Sequence, residues 1–134
     1  MSLQQQALTG AMKEVIARIR DLVRAEKFKT AQTRGGWKYI GEELENEIKM
    51  LKETISSKYK VLTCDFYHVF NSANVHSRTE ILLLIPVNGT PTLNSDSNSG
   101  EPLLSEKCYY SEVDQLLIGE GCDIIVATLK KDTS

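Results

Sequence analysis

Between Leu8 and Glu26 the apolar residues Leu8, Met12, Val15, Ile16, Ile19, Leu22 and Val23 recur every three or four positions, with charged residues between them. That period puts them on one stripe and predicts an amphipathic helix over 8–26. Thr30 to Gly36 breaks the period, and Thr33 or Gly36 is placed to cap the next element. A second stripe, Trp37, Ile40, Leu44, Ile48, Leu51 and Ile55, predicts a helix over 37–57. Glu42, Glu43, Glu45 and Glu47 lie in its first half and Lys49, Lys52 and Lys58 near its end, the charge order that a helix dipole favours.

The period then changes to two. Leu62, Cys64, Phe66, His68 and Phe70 alternate with Val61, Thr63, Asp65, Tyr67 and Val69, which predicts a strand over 59–70. A turn at Asn71 to Asn74 leads to a second strand over 75–87, whose run Ile81 to Ile85 is apolar on both faces and should be buried on both. Residues 88–104 are rich in Asn, Gly, Thr, Pro and Ser around an isolated Leu93, a composition that predicts a flexible loop. Further strands are expected over 106–114 and 121–130. The order predicts one α+β domain over 1–134: two N-terminal amphipathic helices packed on a four-stranded antiparallel sheet, α-α-β-β-β-β.

Composition changes this picture little. With 134 residues and a net charge of −2, the chain is the size of one domain and carries no bias toward nucleic acid. Its charge is uneven: residues 1–38 hold eight Lys/Arg against three Asp/Glu, and the remainder eight against fifteen. The two parts could attract each other within the fold or across a dimer. Cys64, Cys108 and Cys122 are an odd set in apolar runs, which reads as buried thiols of a reducing compartment. With no signal peptide and no apolar run long enough to span a bilayer, a cytoplasmic protein without membrane insertion is expected.

Candidate chemistry is sparse. Cys64 with His68 or His76 would be a nucleophile and base. On a strand, however, residues 64 and 68 lie roughly 13 Å apart, too far for a direct hydrogen bond. Cys64, His68 and His76 lack the local pairing of a zinc site, and Arg34-Gly35-Gly36 follows a helix rather than a strand, as a helix–helix turn and not a phosphate loop. The basic series Arg18, Arg20, Arg24, Lys27, Lys29, Arg34 and Lys38 is not interleaved with the aromatics that stack bases. No catalytic residue, metal or cofactor is expected, and nucleic acid is an unlikely partner.

What remains is contact with other proteins. A four-stranded open sheet has two edges, to be covered or used for strand addition. A strand as apolar as 75–85 cannot be an exposed edge of a monomer, so a strand-exchanged homodimer is expected, with Val75, Ser77, Thr79, Ile81, Leu83 and Ile85 at its interface.

Trp37 opening the second helix, Tyr59-Lys60-Val61-Leu62-Thr63-Cys64, Val75-His76-Ser77-Arg78-Thr79 and Cys122-Asp123-Ile124-Ile125-Val126-Ala127, in this element order, resemble the Tctex-type dynein light chains. Residues 10–130 fall within the likeness. Leu84-Ile85-Pro86, the 88–104 loop and Thr128-Leu129 depart from it. The resemblance implies a non-enzymatic, cytoskeleton-associated dimeric adaptor that binds an extended peptide of a dynein intermediate chain or cargo. The peptide-accepting edge would be Lys107, Cys108, Tyr109, Tyr110, Ser111, Glu112 and Val113. Two alternatives stand beside it: an interaction subunit of a chaperone or trafficking complex with the same two layers, and a small enzyme using Cys64 and a histidine.

Overall fold

A computed structural model describes residues 4–56, 59–77, 80–94, 100–119 and 121–130. In chain order the elements are β1 (Gln4–Ala7), α1 (Gly10–Arg24), β2 (Lys29–Thr33), β3 (Gly36–Ile40), α2 (Glu42–Ile55), β4 (Val61–Val69), β5 (Ser72–Val75), β6 (Ile81–Asn88), β7 (Thr92–Asn94), β8 (Glu101–Pro102), β9 (Lys107–Ser111), β10 (Gln115–Ile118) and β11 (Cys122–Leu129). The strands form a seven-stranded sheet, β1-β9-β6-β11-β4-β3-β2, and a four-stranded sheet, β5-β10-β7-β8. Every pairing among the described residues is antiparallel. The molecule is therefore mostly β, and the expected two helices on a single four-stranded sheet are corrected to a double sheet with a helical layer outside it.

Three layers account for the apolar pattern. On one face of the large sheet, Leu83, Ile85, Ile125, Ala127 and Phe66 pack with Met12, Val15, Ile16, Ile19, Leu44 and Leu51 of the helices. On the other face, Leu84, Tyr109, Val69 and Ile124 pack with Leu93, Leu103 and Leu117, which belong to the small sheet and its connections. Strand β6 is apolar on both sides because it lies between these two cores, and Leu82 to Ile85 are completely buried. Each such side chain contributes about 1.5–3 kcal/mol relative to exposure.

The first helix forms where its stripe predicts. Thr9 caps it, its hydroxyl accepting from the Met12 amide at 3.2 Å. The Arg20 Nε donates to the Val87 carbonyl at 2.7 Å and ties the helix to the end of β6. Arg18 meets Glu47 of α2 at 2.9 Å and Lys38 meets Asp65 at 3.0 Å, so the basic N-terminal part does find acidic partners within one chain.

The second helix is shorter than expected. Residues 36–40 do not open a helix but form β3, hairpinned to β2 through the two-residue turn Arg34-Gly35. Gly35 takes φ +85°, where a side chain is strained, and a Cβ on Gly36 would run into the main-chain carbonyl of His68. The glycines that read as a helix–helix turn are thus hairpin residues seated against β4. Helix α2 starts after Gly41, whose amide donates to Glu45 at 3.0 Å.

The expected strand over 75–87 divides in two. Strand β5 joins the small sheet and β6 the large one, and the chain crosses between the sheets from His76 to Glu80. Residues 88–104 are not a plain loop either: β7 and β8 lie within them, and Leu93 and Leu103 are completely buried in the inner core. Residues 95–99 lie outside the described ones.

Candidate functional site

Residues of both sheets line a cleft of about 430 Å³, within the range that small-molecule sites occupy. Tyr67 and Val69 of β4 and Ile124, Val126 and Thr128 of β11 line the large-sheet side; Ala73, Asn74 and Val75 of β5 and Leu117 of β10 line the small-sheet side. The β2–β3 turn brings Thr33, Arg34 and Gly35 to the cleft, and the crossover between the sheets brings His76 and Glu80. Apolar walls thus carry a short set of charged groups that approach from two loops.

The crossover is held by one carboxylate. Asp114, just before β10, accepts at Oδ1 from the Ser77 amide at 2.7 Å and from the Ser77 hydroxyl at 3.3 Å. Its Oδ2 meets His76 Nδ1 at 3.3 Å. An ionised carboxylate only accepts, so Nδ1 carries the hydrogen and Nε2 is the nitrogen left to exchange a proton. Ser77 is buried, and both His76 and Asp114 stand well into solvent. Arg34 is exposed and forms no ion pair among the described residues. Within the cleft the Tyr67 phenol is pushed up by burial and by the nearby Asp65 carboxylate, so it remains a neutral hydrogen-bonding group.

A second polar cluster lies against the helical layer. Tyr39 donates to Asp123 Oδ1 at 2.6 Å, His68 Nδ1 meets the same oxygen at 2.7 Å, and Asn88 donates to Oδ2 at 2.9 Å. The His68 ring stacks on Trp37 with centroids 4.2 Å apart. Burial, followed by the hydrogen bond to Asp123, raises the Tyr39 phenol far above its ordinary range. Asp123 is 5% exposed and is held by three partners inside the chain.

The sequence-derived sites fall elsewhere. Ile81, Leu83 and Ile85 of the candidate dimer interface sit in β6, between β11 and β9, and are covered within the chain. Val75 ends β5 and Ser77 lies in the crossover; Thr79 is outside the described residues. The premise for strand exchange, an uncovered apolar strand, does not hold here. Of the candidate peptide edge, Lys107, Cys108, Tyr109, Tyr110 and Ser111 form β9, which is flanked by β1 and β6, while Glu112 and Val113 lie in the turn to β10. An edge already paired on both sides has no free main-chain ladder for a peptide.

The thiol-enzyme alternative fails as well. Burial, then the neighbouring Asp65, pushes the Cys64 thiol up to about 12, which removes the thiolate. His68 is committed to Asp123. His76, weighed in the sequence as a base for Cys64 and as a metal ligand, and Arg34, weighed for phosphate and nucleic acid, both line the cleft.

The chain aligns over nearly its whole length with a solved structure, that of a Pseudomonas putida prolyl-4-hydroxylase. The TM-score is 0.56, with 97% of this chain and 92% of that one covered, at 10% identity. The two share a fold. No family model matches the chain, and no curated protein matches it.

The shared fold is a jelly-roll-like double sheet, with β4-β11-β6-β9 of the large sheet against β5-β10-β7-β8. It overturns the resemblance to Tctex-type dynein light chains, which rested on two helices and four strands. The non-enzymatic adaptor, with its motor, microtubule and cytoskeletal associations, was inferred from a fold that the chain does not have, and the structure it does resemble is an enzyme's. The chaperone or trafficking subunit was drawn from the same two-layer architecture and loses its basis with it. No described helix is long and apolar enough to cross a membrane.

Proposed function

We propose that this chain binds and acts on a small amphipathic molecule in the cleft between its two sheets. The observation that carries the reading is the pairing of apolar walls, Val69, Val75, Leu117, Ile124 and Val126, with Arg34 at the cleft. An apolar enclosure with a few convergent polar groups is the usual form of a small-molecule site. A guanidinium beside such walls suits a carboxylate or phosphate on the bound molecule, which it can grip through two parallel hydrogen bonds.

His76 supplies the reactive chemistry in this reading. Held through Nδ1 by Asp114, its imidazole presents Nε2 as the nitrogen left to take a proton, the position a general base needs. Sharing its fold with a hydroxylase supports a catalytic role without specifying the reaction. A cytosolic setting belongs to the same proposal and suits three thiols packed within strands.

The test is a ligand-observed NMR screen of small carboxylates and phosphates against the whole chain. Saturable binders are expected, lost in Val126→Trp, which fills the cleft, and weakened roughly tenfold in Arg34→Gln as one charge-assisted hydrogen-bond pair is removed. Binding that neither substitution alters would refute the assignment of the cleft.

A further inference from the structure

We infer that the cleft of this jelly roll works without a mononuclear non-haem iron, because the chain has spent its iron-ligating side chains on holding the fold together. Oxygenases of the non-haem iron class grip the metal with two imidazoles and one carboxylate on a single face, leaving positions open for the reaction. This chain contains two histidines, His68 and His76, so such a set would need both.

The fold keeps them apart in function. Although His68 borders the cleft, its ring lies flat on Trp37, and its Nδ1 is bound to Asp123 in the cluster shared with Tyr39 and Asn88. Tyr39 belongs to the core under the helices, and so does Phe66, the residue two before His68 on the same strand. Alternation along β4 turns Tyr67 and Val69 to the inter-sheet side and Phe66 and His68 away from it.

Glu80 also reaches the cleft, but the second histidine is bonded to Asp114. That carboxylate already accepts from the Ser77 amide and meets His76, and it shares the one hydrogen of the Ser77 hydroxyl with the Glu112 carbonyl. Removing it to a metal would release the crossover that carries β5 into β6. Among the described residues no three His, Cys, Asp or Glu side chains converge anywhere in a metal-binding group. With His68 held on Asp123, His76 and the carboxylates Asp114 and Glu80 fall a histidine short of the iron set. The residues present do not fit that metal, and the cleft is also lined by Arg34, a side chain that repels a metal ion and attracts an anion.

The inference stands independently of which molecule the cleft takes, and its test is separate from the ligand screen. The whole chain, freed of adventitious metal with a chelator, is titrated with cobalt(II) under an optical readout and with iron(II) under anaerobic calorimetry. We expect no saturable binding, no cobalt d–d absorption, and a melting temperature that is the same in excess cobalt as in EDTA. Binding that persists unchanged in both His76→Ala and Asp114→Asn would lie outside the cleft and leave the inference standing. Binding of one equivalent that is lost in His76→Ala overturns it. Repeating the NMR screen in EDTA separates the two proposals: a carboxylate that still binds supports a metal-free cleft, whereas one that binds only with added iron overturns it.

Discussion

Tyr39 and Asp123, 84 positions apart in the chain, meet through a 2.6 Å hydrogen bond that joins the β2–β3 hairpin to the last strand. The bond crosses β4, which pairs with β3 on one side and β11 on the other. Substituting Tyr39 by Phe keeps the ring contacts with Phe28 and Phe66 but leaves the buried carboxylate short of one donor. A loss of about 1–3 kcal/mol is expected. Urea denaturation should show a lower midpoint at unchanged slope; an unchanged midpoint would mean that solvent already reaches Asp123.

Leu93 tests whether the segment after β6 is part of the structure or an appendage. It is completely buried among Leu117, Leu103 and Tyr109, although three residues make up its whole strand. Leu93→Ala should therefore cost about 2–5 kcal/mol, the range for emptying a leucine site in a packed core. A mobile loop would tolerate the change without effect on the thermal midpoint.

The alkaline limb of stability arises from groups that the fold keeps protonated. Burial pushes Cys64 from 9.0 up to about 12. Burial also raises Tyr39, Tyr67 and Tyr110, and the hydrogen bond to Asp65 raises Lys38. A folded pKa above the unfolded one means that the native state binds the extra proton. The stabilisation is complete below the unfolded value and is lost as pH rises toward the folded one. For Cys64 that window runs from 9.0 to about 12, and each such group steepens the decline by up to about 1.4 kcal/mol per pH unit. Denaturation series across this range should show stability falling continuously. At about pH 8 iodoacetamide should alkylate Cys64 in the denatured chain and spare it in the folded one; rapid modification of the native protein would contradict the buried environment.

Some of this architecture can be read from residue order. The first helix, the long alternating strand β4 and the two-sided burial of Ile81 to Ile85 reflect apolar patterns sustained over several residues. What escaped has a common cause. Strands β7 and β10 are three and four residues long, too short to display a period, and an isolated Leu93 in polar surroundings looks the same whether it is exposed or inserted into a core.

At Trp37 to Ile40 two periods compete. Trp37 and Tyr39 alternate as a strand requires, while Trp37, Ile40 and Leu44 continue a helical stripe; pairing with β2 and the seating of Gly36 against His68 of β4 go with the strand. The cleft was less legible still. Its walls come from separate stretches of β4, β5, β10 and β11, and its charged groups from two separate loops, so neither Arg34 nor His76 carries a local signal of the other.

The position of β11 sets the order in which the molecule can be completed. Made after every other described strand, it is placed between β4 and β6 and hydrogen-bonds along nearly its whole length to both. Until Cys122 to Leu129 have left the ribosome, the hairpin side and the β6–β9 side of the large sheet are separate pieces, each with an open ladder of main-chain groups. A growing chain of this kind stays exposed to mispairing until β11 is made, and the large sheet closes when that one strand inserts.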